Sequence, residues 1–289
     1  VIEGSTSLLG TNLISAIIVT PFQINPIIHN LPIVCYTRTI RKSKVGESLY
    51  IQNELSNSAL LLSIPHSGLH IPDEIEILCN PLAKRNHTDW FLPELVDANS
   101  YTIIQATVSR YIVDVNRFKP TQKHSIQPII TRTDEEGIPL FKNFPSKQKQ
   151  RQWIQNYYEP YYRKIEEILT QKLSIHQQVF LLDLHSYDDS LFPSHEMILG
   201  SRKQTSISKN SLKRIEALFQ EQNLPTRLDT PFSGGSIVAT FGKQERVQAL
   251  QIEIPYSFYL NGNKPNDIKF NKLQKKLHHI FDQLNNENT

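Results

Sequence analysis

The stretch Gln178-Val179-Phe180-Leu181-Leu182-Asp183-Leu184-His185-Ser186 decides the fold. Its apolar run is too short for a globular helix and lacks the polar alternation of a half-exposed strand. Such a run suits a strand buried on both faces, the habit of a parallel sheet. Upstream, Ala59-Leu60-Leu61-Leu62-Ser63-Ile64-Pro65 has the same character, and downstream Gln248-Ala249-Leu250-Gln251-Ile252-Glu253-Ile254 repeats it. The β-branched run from Tyr101 to Val108 reads as a further strand, and Tyr111–Val115 follows closely enough to pair with it.

Helical periods separate these strands. Trp153, Ile154, Tyr157, Tyr161, Ile165, Ile168 and Leu169 trace one apolar stripe, with Pro160 expected to bend or break it. Leu212, Ile215, Leu218 and Phe219 mark a second helix. Leu273, Leu277, Ile280, Phe281 and Leu284 mark a third, with Pro265 near its start. A shorter helix is expected over Phe91–Asn99. Buried strands alternating with helices predict an α/β fold, a mixed and mostly parallel sheet with helices on both faces. Residues 46–289 are expected to form this single domain. Residues 1–45 mix short apolar runs with Pro21, Pro26 and Pro32, and read as an irregular extension with one strand near Ile33–Thr39.

Composition narrows the class of function. A net charge of +3, spread along the 289 residues, gives no reason to expect a nucleic-acid partner. Cys35 and Cys79 form no CxxC pair, which argues against a cysteine zinc knuckle and suits a reducing cytoplasm. The apolar stretch Leu13–Phe22 is interrupted by Ser15, Thr20 and Pro21, is too short to cross a bilayer, and follows no basic segment. The chain opens on Val1 and its single methionine is Met197, which leaves open a segment ahead of Val1.

In open α/β sheets, sites form at the carboxyl ends of the strands. Three residues fall there: His66 after Ala59–Ile64, His185 after Gln178–Asp183, and Glu253 near the end of Gln248–Ile254. Two imidazoles and a carboxylate at neighbouring strand ends suit a zinc site that keeps a position for water. The further ligand is open between Asp89, Glu74 and His70, and Asp89 or Thr88 would equally serve as the cap of the following helix. Pro72 argues against His66 and His70 sharing one helical face. Arg110, Asp114, Asn116 and Arg117 bracket one short segment; the arginines suit either a substrate carboxylate or a structural pair with Asp114. Gly234-Gly235 suggests close approach of the backbone to a ligand or another loop.

Six motifs in order resemble those of the N-formylglutamate amidohydrolase family across roughly residues 55–260: Ser63–Gly68, Thr88-Asp89-Trp90, Ser109-Arg110-Tyr111 through Asp114-Val115-Asn116-Arg117, Asp183–Ser186, Phe232-Ser233-Gly234-Gly235, and Gln251-Ile252-Glu253. The resemblance implies a zinc-exopeptidase-like (phosphorylase/hydrolase-like) fold. It implies hydrolysis of the formyl amide of N-formyl-L-glutamate to formate and L-glutamate, in histidine catabolism. The substrate would be a small anionic N-acyl amino acid. By the same resemblance, His66 and His185 hold Zn2+ and Glu253 activates water, while Arg110 and Arg117 hold substrate carboxylates. With Asp89 as third ligand, Arg110 would also steady the oxyanion, Asn116, Gly234 and Gly235 would border the substrate, and Ser67 and Ser186 would orient the ligands. Two places depart from the pattern: Ser186-Tyr187-Asp188-Asp189 and Ser236–Gly242 lack the cations typical of the family. They keep in view a relative acting on another N-acyl amino acid, a γ-glutamyl or a peptidoglycan amide, and a non-catalytic binding member.

Overall fold

Strand β4 (Val179–Tyr187), buried along its whole length, runs through the middle of a seven-stranded sheet. The computed structural model describes residues 49–52, 57–73, 75, 88–96, 101–119, 128–134, 137–190, 195–262 and 264–286. The other strands are β1 (Leu49–Gln52), β2 (Leu60–Ile64), β3 (Thr102–Ala106), β5 (Met197–Gly200), β6 (Thr226–Leu228) and β7 (Val247–Pro255). Their spatial order is β1-β3-β2-β4-β7-β5-β6. The central β3-β2-β4-β7 block is parallel. β1 joins antiparallel to β3, and β5 antiparallel to β7 with β6 parallel beyond it. The mixed, mostly parallel sheet expected from the apolar runs is therefore present. The reading of residues 1–45, including the strand near Ile33–Thr39, lies outside the described residues.

Alternation along the strands feeds two cores. Leu60, Leu62 and Ile64 of β2 join Phe180, Leu182 and Leu184 of β4 on one face. That face is closed by Leu212, Ile215 and Phe219 of α4 (Lys209–Glu221) and Leu277 and Phe281 of α6 (Asp267–Asn286). Leu61, Leu181 and Ala249 point the other way, toward Tyr161, Ile165 and Leu169 and toward Ile237 and Phe241 of α5 (Ser236–Phe241). Each such aliphatic side chain contributes about 1.5–3 kcal/mol when fully buried. A sheet covered on both faces has only its strand ends open, and that confines the polar site to them.

Pro160 does not break its helix. α2 (Lys147–Trp153), capped by the Ser146 side chain, passes through a π-helical turn, Ile154–Tyr158, into α3 (Glu159–Leu173). A proline has no N–H to give and its ring collides with the carbonyl four residues back. The wider turn, in which the Glu159 N–H donates to the Ile154 carbonyl, sets Pro160 at the start of α3, where neither problem arises.

Two local expectations need correction. Tyr111–Val115 is not a strand. The N–H groups of Ile112 and Val113 both donate to the Ser109 carbonyl, and that of Asp114 donates to the Ile129 carbonyl. The polar–apolar alternation there records a buried irregular loop folded around the Asp114 carboxylate. The helix after Trp90 is short, α1 (Leu92–Leu95), and residues 97–100 lie outside the described residues. Among the described residues, no helix is long and apolar enough to cross a membrane.

Candidate active site

His66, Asp89 and His185 converge. One ligand atom from each lies within 4.8 Å of the others, all three side chains are buried, and the two imidazole centroids are 4.7 Å apart. Each histidine is held from behind by a carboxylate. His66 Nε2 lies 2.7 Å from Asp114 Oδ1, and His185 Nε2 lies 3.1 Å from Asp183 Oδ2. The remaining ring nitrogen of each is Nδ1, and that of His185 is 3.2 Å from Asp89 Oδ2. A carboxylate behind each imidazole fixes its tautomer and ring orientation, as in carboxylate–histidine–metal arrangements.

Asp89 is tied to the site and not to a helix start. Its Oδ1 accepts from both the N–H and the hydroxyl of Ser186, at 3.1 and 3.2 Å. The N-cap of α1 is Phe91, with no side-chain cap bond. Asp89→Asn is therefore expected to leave the melting temperature nearly unchanged. It should weaken metal binding by more than the roughly 10–100-fold typical of losing an outer partner. Isothermal titration with zinc checks this, and a large drop in melting temperature without change in affinity would return Asp89 to a structural role.

Asp114 is the hub of the opposite wall. Its Oδ1 also accepts the Asn116 N–H at 2.9 Å, and its Oδ2 meets Arg110 at 2.9 Å and Arg117 at 3.3 Å. Burial pushes its carboxyl up, but His66 and the two arginines outweigh that and hold it well below the carboxylate range. Both arginines line the cavity while sharing this one carboxylate. Asn116 also lines it, yet its amide is committed elsewhere: Nδ2 donates to Asp183 Oδ2 at 2.9 Å, and Oδ1 accepts the Ile237 N–H at 3.1 Å. Its geometry is that of a residue orienting the Asp183–His185 pair.

The cavity has a volume of about 630 Å³. Beside the cluster it is bordered by Glu253, Gln251, Ser186, Asp188 and the loop Pro231–Gly235. Gly235 packs on Asn116 so closely that a Cβ would lie 2.3 Å from its amide oxygen, and Gly234 adopts φ +108°. Any larger residue at Gly235 would displace the amide that steadies Asp183. Tyr187 and Phe232 meet edge to face on one wall, with centroids 5.8 Å apart.

Charge explains what this cavity would hold. Burial opposes charge on His185, but Asp183, Asp89 and Glu253 outweigh it and hold its protonation well above the usual histidine range. Burial and Arg110 push His66 the other way, toward the neutral form. The task of balancing these carboxylates thus falls to positive charge at this position. A divalent cation between His66, Asp89 and His185 would take over that task, and this donor set of two nitrogens and a carboxylate oxygen suits one. Glu253 sits apart from the ligand triad. Burial pushes its carboxyl up to about 8, and Asp89 adds to that against the pull of His185 and Arg110.

Of the other candidates, Glu74 lies outside the described residues. His70 is exposed and pairs through its backbone with Val108, and Ser67 accepts from Gln105 instead of bracing a ligand. Sequence reasoning passed over Asp183 and Gln251 as working groups and gave Asp114 no bond to His66. The available signal was spacing: Asp183 and Gln251 each stand two residues before a site residue, on the same face of their strand.

The class this fold and site define is a mostly parallel α/β protein with a buried His–Asp–His cluster at the carboxyl ends of its strands, a group that could hold a metal ion. The chain belongs to the N-formylglutamate amidohydrolase family, whose profile matches residues 58–260. It is 26% identical over 222 residues to N-formylglutamate deformylase from Pseudomonas putida, covering 71% of this chain and 83% of that one. It is 27% identical over 222 residues to the deformylase from Pseudomonas aeruginosa, covering 71% and 84%. The fold is similar to the crystal structure of N-formylglutamate amidohydrolase from Ralstonia eutropha, with a TM-score of 0.74 and 21% identity over 83% of this chain and 98% of that chain.

Proposed function

We propose that this chain is a zinc-dependent amidohydrolase that cleaves the formyl amide of N-formyl-L-glutamate to formate and L-glutamate. The observation that carries the reading is the buried His66–Asp89–His185 cluster lining one cavity together with a separate carboxylate, Glu253, which stands beside His185 on the neighbouring strand. Family membership and the names of the Pseudomonas relatives support the substrate.

His66, Asp89 and His185 would hold the zinc, which when bound polarises the amide carbonyl and acidifies water. In its ionised form Glu253 takes a proton from the attacking water and returns it to the departing amine nitrogen, so formate and free amino acid leave with no net proton held. Arg110, at the cavity wall, steadies negative charge developing on the carbonyl oxygen. Arg117, on the same wall, takes a substrate carboxylate. Asp114 holds both guanidiniums and His66 in register, so metal site and substrate clamp share one anchor.

The Asp188 carboxylate and the Tyr187–Phe232 pair on the cavity wall favour a second reading, a different N-acyl amino acid with a less acidic side chain. Zinc-loaded protein assayed on N-formyl-L-glutamate beside N-formyl and N-acetyl derivatives of neutral amino acids separates the two. The first reading requires the highest kcat/KM on N-formyl-L-glutamate. A neutral substrate preferred by tenfold or more would replace it with the second.

A further inference from the structure

Adjacent strands β4 and β7 carry two polar pairs in matching register. Asp183 stands opposite Gln251, and His185 opposite Glu253. On β4 the deeper residue orients the outer one, since Asp183 Oδ2 lies 3.1 Å from His185 Nε2. On β7 the same offset of two residues puts Gln251 Nε2 2.8 Å from Glu253 Oε1. Both β7 side chains are buried, at 6% and 7% exposure, so neither bond exchanges freely with water.

The direction of the second bond is not a matter of choice for the amide. The Gly235 N–H, which can only donate, points at Gln251 Oε1 from 2.7 Å. That fixes the oxygen of the amide toward the loop and forces its NH2 toward Glu253. A backbone group of the substrate loop therefore decides which way the Gln251 amide faces. The loop is itself secured from outside: the Arg202 N–H donates to the Ser233 carbonyl at 2.8 Å, and its guanidinium donates to the Gly234 carbonyl at 3.1 Å.

We propose that Gln251 is the positioning residue of the proton-accepting carboxylate, coupling the Gly234–Gly235 loop to Glu253. The proposal rests on the assignment of Glu253 as the base. With Oε1 held by the Gln251 amide, the proton taken from water goes to Oε2 and leaves from there to the amine. Closure of substrate against the loop and orientation of the base are then one structural event. Glu253 is the catalytic residue; Gln251 acts only through it.

Two substitutions separate the halves of the bridge. Gln251→Glu keeps an acceptor for Gly235 but, in its ionised form, offers no donor to Glu253, whereas Gln251→Met removes both contacts. Each is expected to retain zinc and lower kcat by about tenfold to a hundredfold, the scale of misplacing a reacting group by an ångström. KM should stay within about twofold in Gln251→Glu and rise in Gln251→Met, where the loop also loses its anchor. In a Glu253→Gln background the same substitutions should change turnover less than about twofold, because the group they act through is gone. Equal losses in both backgrounds would mean a general structural role and overturn the proposal, as would kcat within twofold of the parent in both single variants. If Gln251→Met fails to fold, Gln251→Glu completes the cycle alone.

A further measurement needs no substrate. Hydrogen exchange of the Gly235 amide should accelerate at least about tenfold in Gln251→Met and stay near the parent rate in Gln251→Glu. Unaltered exchange in Gln251→Met would show that the loop is not held through Gln251. An unmodified protein that leaves N-formyl-L-glutamate intact refutes the proposed substrate, while the exchange result still decides the bridge.

Discussion

His185→Ala and His66→Ala are each expected to purify folded but nearly metal-free, with less than about a tenth of the one zinc per chain expected of the parent. Turnover should fall at least about a thousandfold, since several kcal/mol of transition-state stabilisation leave with the ion. The two losses should differ in one respect. Removing His185 takes the imidazole from between Asp89 and Asp183, leaving these buried carboxylates without their shared partner. Removing His66 leaves Asp114 still paired with Arg110 and Arg117. The melting temperature of metal-free His185→Ala should therefore lie below that of metal-free His66→Ala at neutral pH. Elemental analysis after dialysis, with circular dichroism as the check on folding, reads the first outcome and a thermal scan reads the second. Either variant keeping a full equivalent of zinc would remove that histidine from the ligand set.

What could be read in advance follows from where each signal resides. The central strands were legible because burial on both faces leaves a run of consecutive apolar residues, as in Ala59–Leu62 and Val179–Leu182. Their carboxyl ends then pointed to His66, His185 and Glu253 without any contact being known. The edge strands Leu49–Gln52 and Thr226–Leu228 were not legible, being short and having no comparable run. Tyr111–Val115 misled because alternation marks a strand only when backbone groups pair along a neighbour; here they turn back on Ser109 and reach across to Ile129. Asp89 was ambiguous because a carboxylate just before a helix serves equally as cap or ligand. The positions of His185 and Ser186, on a strand 96 and 97 residues later, distinguish them. The bond between His66 and Asp114 crosses 48 residues and leaves no trace in local spacing.

Glu253→Gln is expected to keep the fold and the zinc while lowering kcat by roughly a hundredfold or more, the usual scale for a positioned base. The amide matches the carboxylate in size and can still meet Gln251, so KM should change little. The same substitution should stabilise the metal-free protein, and the sign follows from the carboxyl's shift. Burial raises Glu253 from 4.5 to about 8, so between those values the folded state holds a proton that the unfolded chain has released. Parent stability from this group is therefore lost as pH rises through that window, most fully above about 8. Glutamine has no proton to lose, so the gap in melting temperature between variant and parent should be near zero at pH 4.5 and reach at least about 2 °C at pH 8. A site that gains stability as it loses activity is what a carboxylate retained for chemistry, against its burial cost, must give. Near-normal turnover in Glu253→Gln would mean that another group takes the proton from water. Loss of zinc along with turnover would make Glu253 a ligand in its own right, and the three-residue metal site would have to be redrawn around it.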